Sequence, residues 1–144
     1  MPLEGTDEGA IPPRDARPGY FARLFRRLRE TDEERLAAET REWAGTVQGC
    51  TTIEAAPSRK RARVAAVVRR ITVRPAEGHE AVEAVLSDGT GEIAAVWMGR
   101  RSIPGMSLGT RMVLEGVLGE AARGEPRRMV NPRFEFAADV AERR

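Results

Sequence analysis

Residues 80–99 read EAVEAVLSDGTGEIAAVWMG. The two flanks alternate with a period of two, which is the signature of half-buried strands. Val82, Ala84 and Leu86 fall on one face of the first flank, with Ala81, Glu83 and Val85 on the other. Ile93, Ala95 and Trp97 continue the first face in the second flank, opposite Ala94, Val96 and Met98. Asp88-Gly89-Thr90-Gly91 between them supplies two residues free to take positive φ, so the segment predicts a hairpin.

The same alternation extends outward from this hairpin. A strand is expected from Ala62 to Arg74, with Val64, Val68, Ile71 and Val73 facing inward. Its phase slips between Val68 and Ile71, where Arg69-Arg70 sits, and a one-residue slip predicts a β-bulge. Pro75 to His79 reads as a loop. After a turn-rich connector with Pro104-Gly105 and Leu108-Gly109, Thr110 to Glu120 is expected to form a further strand with Met112, Leu114, Gly116 and Leu118 on one face. A fifth strand is expected from Arg127 to Phe136, carrying Met129, Val130, Phe134 and Phe136. It is interrupted by Asn131-Pro132, because proline has no N–H to give to a ladder.

The expected fold is therefore mainly β: a five-stranded OB-fold Greek-key barrel preceded by an N-terminal helical extension. VLSDGTGEIAAVWMG (85–99), LGTRMVLEGVLGE (108–120) and RRMVNPRFEF (127–136) carry a closer likeness. These segments resemble the OB-fold nucleic-acid-binding families, and are most similar to the wedge domain of the RecG helicase and to small stand-alone bacterial OB proteins. The resemblance covers Ala62 to Phe136. Strand one has Ala65-Ala66 where such families often place a glycine, and the helix common between strands three and four is reduced to a Pro-Gly connector. The resemblance implies a non-catalytic protein that binds single-stranded or branched DNA with low sequence specificity, DNA being favoured over RNA. A small bacterial protein, cytoplasmic by default, is the matching expectation.

Ahead of the barrel, residues 1–18 are rich in Gly, Pro and charge and are expected to be disordered. Residues 19–57 make a helical extension and connector, 58–138 the OB domain and 139–144 a polar tail. Phe21, Leu24, Phe25 and Leu28 recur at helical spacing among Arg23, Arg26, Arg27 and Arg29. Thr31-Asp32-Glu33-Glu34 has the form of a capping box, so a second helix is expected to start there and to stop near Gly45. The apolar stripe either packs on the barrel or second helix, or meets a protein partner or a membrane surface. An alternative function follows: an OB-fold protein-interaction module using that stripe and the apolar outer set Val85, Ala94, Val96 and Met98.

The 144 residues carry a net charge of +2. Residues 1–56 hold 8 Arg against 11 Asp and Glu, whereas 57–144 hold 16 Lys and Arg against 11. The barrel half is basic, which is compatible with a polyanion. No apolar run approaches the length of a membrane helix, so integral membrane association is not expected. The single cysteine, Cys50, excludes an internal disulfide. It reads as an incidental small residue. With one histidine, His79, neither a zinc set nor a His-based triad is expected. No phosphate loop or nucleophile elbow is present, and neither a cofactor nor a catalytic residue is assigned.

The candidate nucleic-acid-binding residues are Arg69, Arg70 and Arg74 on strand one, Trp97, Arg100 and Arg101 at the end of strand three, Arg123, Arg127 and Arg128 around the loop before strand five, and Arg133 on that strand. Guanidinium groups suit phosphate, and Trp97 suits base stacking if it sits at the barrel mouth rather than in the core. The loop ends are expected to gather these arginines into one positive rim.

Overall fold

A computed structural model describes residues 20–76 and 79–142, and two compact units meet between Glu34 and Arg35. The expected disorder of residues 1–18 lies outside the described residues. The element order is α1 (Tyr20–Thr46), β1 (Arg61–Ala76), β2 (His79–Ser87), β3 (Glu92–Met98), β4 (Arg111–Val117), β5 (Arg127–Val130), β6 (Arg133–Phe136) and α2 (Ala137–Glu142). The protein is mainly β, with an N-terminal helix.

The six strands form one sheet in the order β5-β3-β2-β1-β4-β6. All neighbours are antiparallel except β3 and β5, which are parallel. Six strands replace the five expected because Asn131-Pro132 breaks the last one into β5 and β6. Asn131 takes φ 48°, in the left-handed region that asparagine tolerates better than most residues. Its side-chain oxygen accepts from the Met98 N–H at 2.9 Å, which pins the break to the end of β3.

Strand β1 pairs with its two neighbours along successive stretches. Arg61 to Val67 pair with β4, and Val67 to Ala76 pair with β2. The register slips between Val68 and Arg70, at the phase change read from the sequence. The core is built from the inward rows of the strands, Val64, Ala66 and Val68, Val82, Ala84 and Leu86, Ile93, Ala95 and Trp97, Met112 and Leu114, and Met129, joined by Leu118 just after β4 and by Ile53, Ala56 and Ile103 from the connections. Phe134 and Phe136 pack against it half-buried. Val73 departs from expectation and is exposed, and Val130 is exposed too. Val73 lies beyond the stretch of β1 that β4 pairs, and Val130 alternates with the buried Met129.

A buried carboxylate fastens the connector to the β2–β3 turn. Asp88 accepts the Ile53 N–H at 2.8 Å, the Thr90 N–H at 2.9 Å and the Thr90 hydroxyl at 2.6 Å. Gly89 in this turn has φ +87°, and an added Cβ would collide with the Ala37 carbonyl and come within 2.9 Å of the Arg41 Cβ. In the same unit the Arg111 guanidinium lies 4.9 Å from the Trp43 ring centroid, a cation–π distance. The residues that follow Phe136, Ala137–Glu142, form α2.

Helix α1 is one continuous element, and no second helix begins at Thr31. The Thr31 hydroxyl donates instead to the Arg27 carbonyl one turn back, at 3.0 Å, so the capping box is not used. Gly45 lies inside the helix rather than ending it. No helix among the described residues is long and apolar enough to cross a membrane.

Candidate functional site

Strand pairing fixes which candidate arginines share a face. Arg70 pairs with Val85, Val85 with Ala94, and Ala94 with Arg128. All four alternate with core residues and point away from the core. The result is a row across four strands with an arginine at each end. Three strand spacings separate Arg70 from Arg128, on the order of 14 Å between backbones. Val85 and Ala94 between them are buried, and neither carries a cation or a ring. The next rows hold Thr72, Glu83, Val96 and the exposed Val130, then Arg74, Ala81 and the exposed Met98.

The arginines differ in what already holds them. Arg74 lies 3.6 Å from a Glu83 carboxylate oxygen, and Arg101 pairs with Glu80. The Glu80 carboxylate holds the exposed Arg101 guanidinium above its ordinary pKa, which leaves its charge unchanged at neutral pH. Arg127 donates to the carbonyl oxygens of Ile53 and Ala56, tying the connector to β5. Its guanidinium is engaged by the fold. Arg69, Arg70, Arg100, Arg123, Arg128 and Arg133 are exposed, and their guanidiniums have no ion-pair or hydrogen-bond partner among the described residues.

Trp97 belongs to the core. It is 4% exposed, its indole N–H donates to the Pro132 carbonyl at 3.1 Å, and its ring meets Phe134 edge-on at 5.6 Å. The large ring follows the inward alternation of β3, and its one polar atom has found a partner. It offers no open face for stacking a base.

The single rim expected from the sequence is divided. Arg127 pairs with Ile93 near the start of β3, whereas Arg100 and Arg101 follow its end. A seven-residue strand separates these groups by roughly 20 Å. The parallel pairing of β3 with β5 is the cause, because it sets the loop before β5 beside the β2–β3 turn.

Three other candidates come together instead. Arg100, Arg133 and Trp97 line an open groove of about 610 Å³ beside the Asn131-Pro132 break. Arg63, Met98, Glu115 and Phe134 also border it. Arg63 is held by Glu115 at 3.7 Å and Glu135 at 3.5 Å. The sequence reading missed Arg63, Met98 and Asn131 as site residues. Only the Asn-Pro dipeptide signalled that the backbone turns there.

Among the described residues no group of three or more His, Cys, Asp or Glu side chains is placed to hold a metal ion. Cys50 is half-buried, and burial pushes its thiol pKa up, against the opposing pull of Arg63. No protein-family model matches the chain, and no curated protein is significantly similar to it.

Proposed function

We propose that this chain is a non-catalytic OB-fold protein that binds single-stranded or branched DNA through its phosphates, with little sequence choice. The observation that carries the reading is the row Arg70–Val85–Ala94–Arg128. It sets two unpaired guanidiniums on the outer sheet face, and the unpaired Arg100 and Arg133 border the neighbouring groove. Unpaired exposed arginines give up no existing ion pair when they meet a phosphate, and bidentate geometry suits them to it. Low specificity follows from contacts that touch backbone rather than base edges.

The OB barrel is the fold we infer beneath this surface. Joining β5 and β6 across Asn131-Pro132 as one kinked strand yields five strands, with the fifth beside both β3 and β4. Support comes from the parallel β3–β5 pairing, the antiparallel β4–β6 pairing and the bridge between Leu118 and Met129. The bulged first strand pairing on both sides fits the same topology.

A second reading is favoured by one observation. Phe21, Leu24, Phe25 and Leu28, in the first unit, are 45–57% exposed on one helix stripe. Such a stripe is a docking surface for a protein partner, and the arginines of the sheet would then be ordinary surface.

Titrating the whole chain against labelled single-stranded, duplex and forked DNA at two salt concentrations separates the two readings. Tight binding to single-stranded or forked DNA that weakens steeply with salt supports the first. No DNA binding, with capture of a protein partner that survives nuclease, supports the second.

A further inference from the structure

The groove beside the Asn131-Pro132 break differs chemically from the sheet face next to it. The row Arg70–Val85–Ala94–Arg128 offers cations at its ends and buried apolar residues between them. The groove sets its cations beside an apolar wall. One wall is apolar, made by the exposed Met98, the buried Pro132 and the half-buried Phe134. The Arg100 and Arg133 guanidiniums border it with no partner among the described residues, whereas Arg63 is occupied by two carboxylates.

The walls are also held in place. The Asn131 N–H donates to the Val96 carbonyl at 2.6 Å, and its side chain accepts from Met98. The Pro132 carbonyl is held by Trp97, whose ring braces Phe134. A volume of about 610 Å³ is within the range of small-molecule sites and admits one nucleotide. A planar aromatic group against an apolar wall, with an anion beside two free guanidiniums, is the ligand chemistry that fits.

The geometry points to a mononucleotide-sized subsite in this groove, taking one unstacked nucleobase against Met98, Pro132 and Phe134 with its phosphate on Arg100 and Arg133. This rests on the nucleic-acid reading above and adds where a base leaves the strand. The carboxylates of Glu115 and Glu135 lie against Arg63 at 3.7 and 3.5 Å.

The test titrates the full chain, labelled with ¹⁵N, with deoxythymidine 5′-monophosphate, and in parallel with inorganic phosphate. The mononucleotide should shift the amide signals of Met98, Arg100, Asn131 and Arg133, and inorganic phosphate should shift them far less. The double variant Arg100→Ala/Arg133→Ala should lose those shifts and bind a single-stranded oligonucleotide about tenfold more weakly. Equal shifts with phosphate alone, or nucleotide-induced shifts elsewhere, overturn the subsite. If the groove stays silent while the wild-type chain binds the oligonucleotide, the subsite fails and the DNA reading stands. If the oligonucleotide is not bound either, both fail.

Discussion

The indole N–H of Trp97 reaches the carbonyl oxygen of Pro132 at 3.1 Å, across 35 residues of sequence. That bond joins the end of β3 to the point where the last strand breaks. Both partners are buried, so neither has water as a ready substitute. Trp97→Phe removes the donor, leaves the carbonyl unsatisfied and vacates part of the ring volume. It should lower stability by about 2–4 kcal/mol in urea unfolding. A change under about 0.5 kcal/mol would show that the contact contributes little.

Asp88 does comparable work at the opposite end of β3. Its carboxylate satisfies the backbone N–H of Ile53 and of Thr90 while itself buried. Asp88→Ala should cost about 2–4 kcal/mol, because several donors lose their acceptor at once. Chemical denaturation measures it, and loss of chemical-shift dispersion around Ile53 would locate the damage.

Arg127 and Arg128 are neighbours with opposite expected behaviour. Arg127 holds the connector through the Ile53 and Ala56 carbonyls, whereas Arg128 is exposed on the outer row. Arg127→Ala should lower the unfolding free energy by about 1–3 kcal/mol, the range for hydrogen bonds from a charged donor. Arg128→Ala should leave it within about 0.5 kcal/mol. Thermal melts of the two variants side by side decide it, and equal losses would contradict the assignment.

The hairpin at 80–99, the bulge at Arg69-Arg70 and most of the core were legible because period-two alternation reports burial directly. Val73 misled because alternation gives a face but not where the core ends. The capping box at Thr31 misled because a hydroxyl inside a helix can bond back one turn as readily as it caps. For the candidate site, the residue types were legible and their grouping was not. Nothing local in Arg127 or Arg100 reveals that β5 runs parallel to β3, and that pairing sets them at opposite ends of a strand. Likewise, no local pattern tells the free Arg128 from the engaged Arg127.

Cys50 provides a pH test. Its thiol is pushed above the ordinary range by burial, so at neutral pH it is protonated and the reactive thiolate is scarce. Alkylation by iodoacetamide should be slower than for an unfolded control at pH 7.5. It should gain rate as pH rises, reaching its plateau only above the pH at which the control does. A rate equal to the unfolded control would show that the thiol is neither shielded nor shifted.

The most direct test of the phosphate-binding claim is the salt dependence of affinity for a single-stranded oligonucleotide, measured for the wild-type chain and for Arg70→Ala/Arg128→Ala. Each phosphate contact on a single strand contributes about 0.7 to the slope of log K against log salt. Removing both ends of the row should reduce the magnitude of the slope by about 1.4 and weaken binding at low salt. An unchanged slope and affinity in the folded double variant would contradict the account.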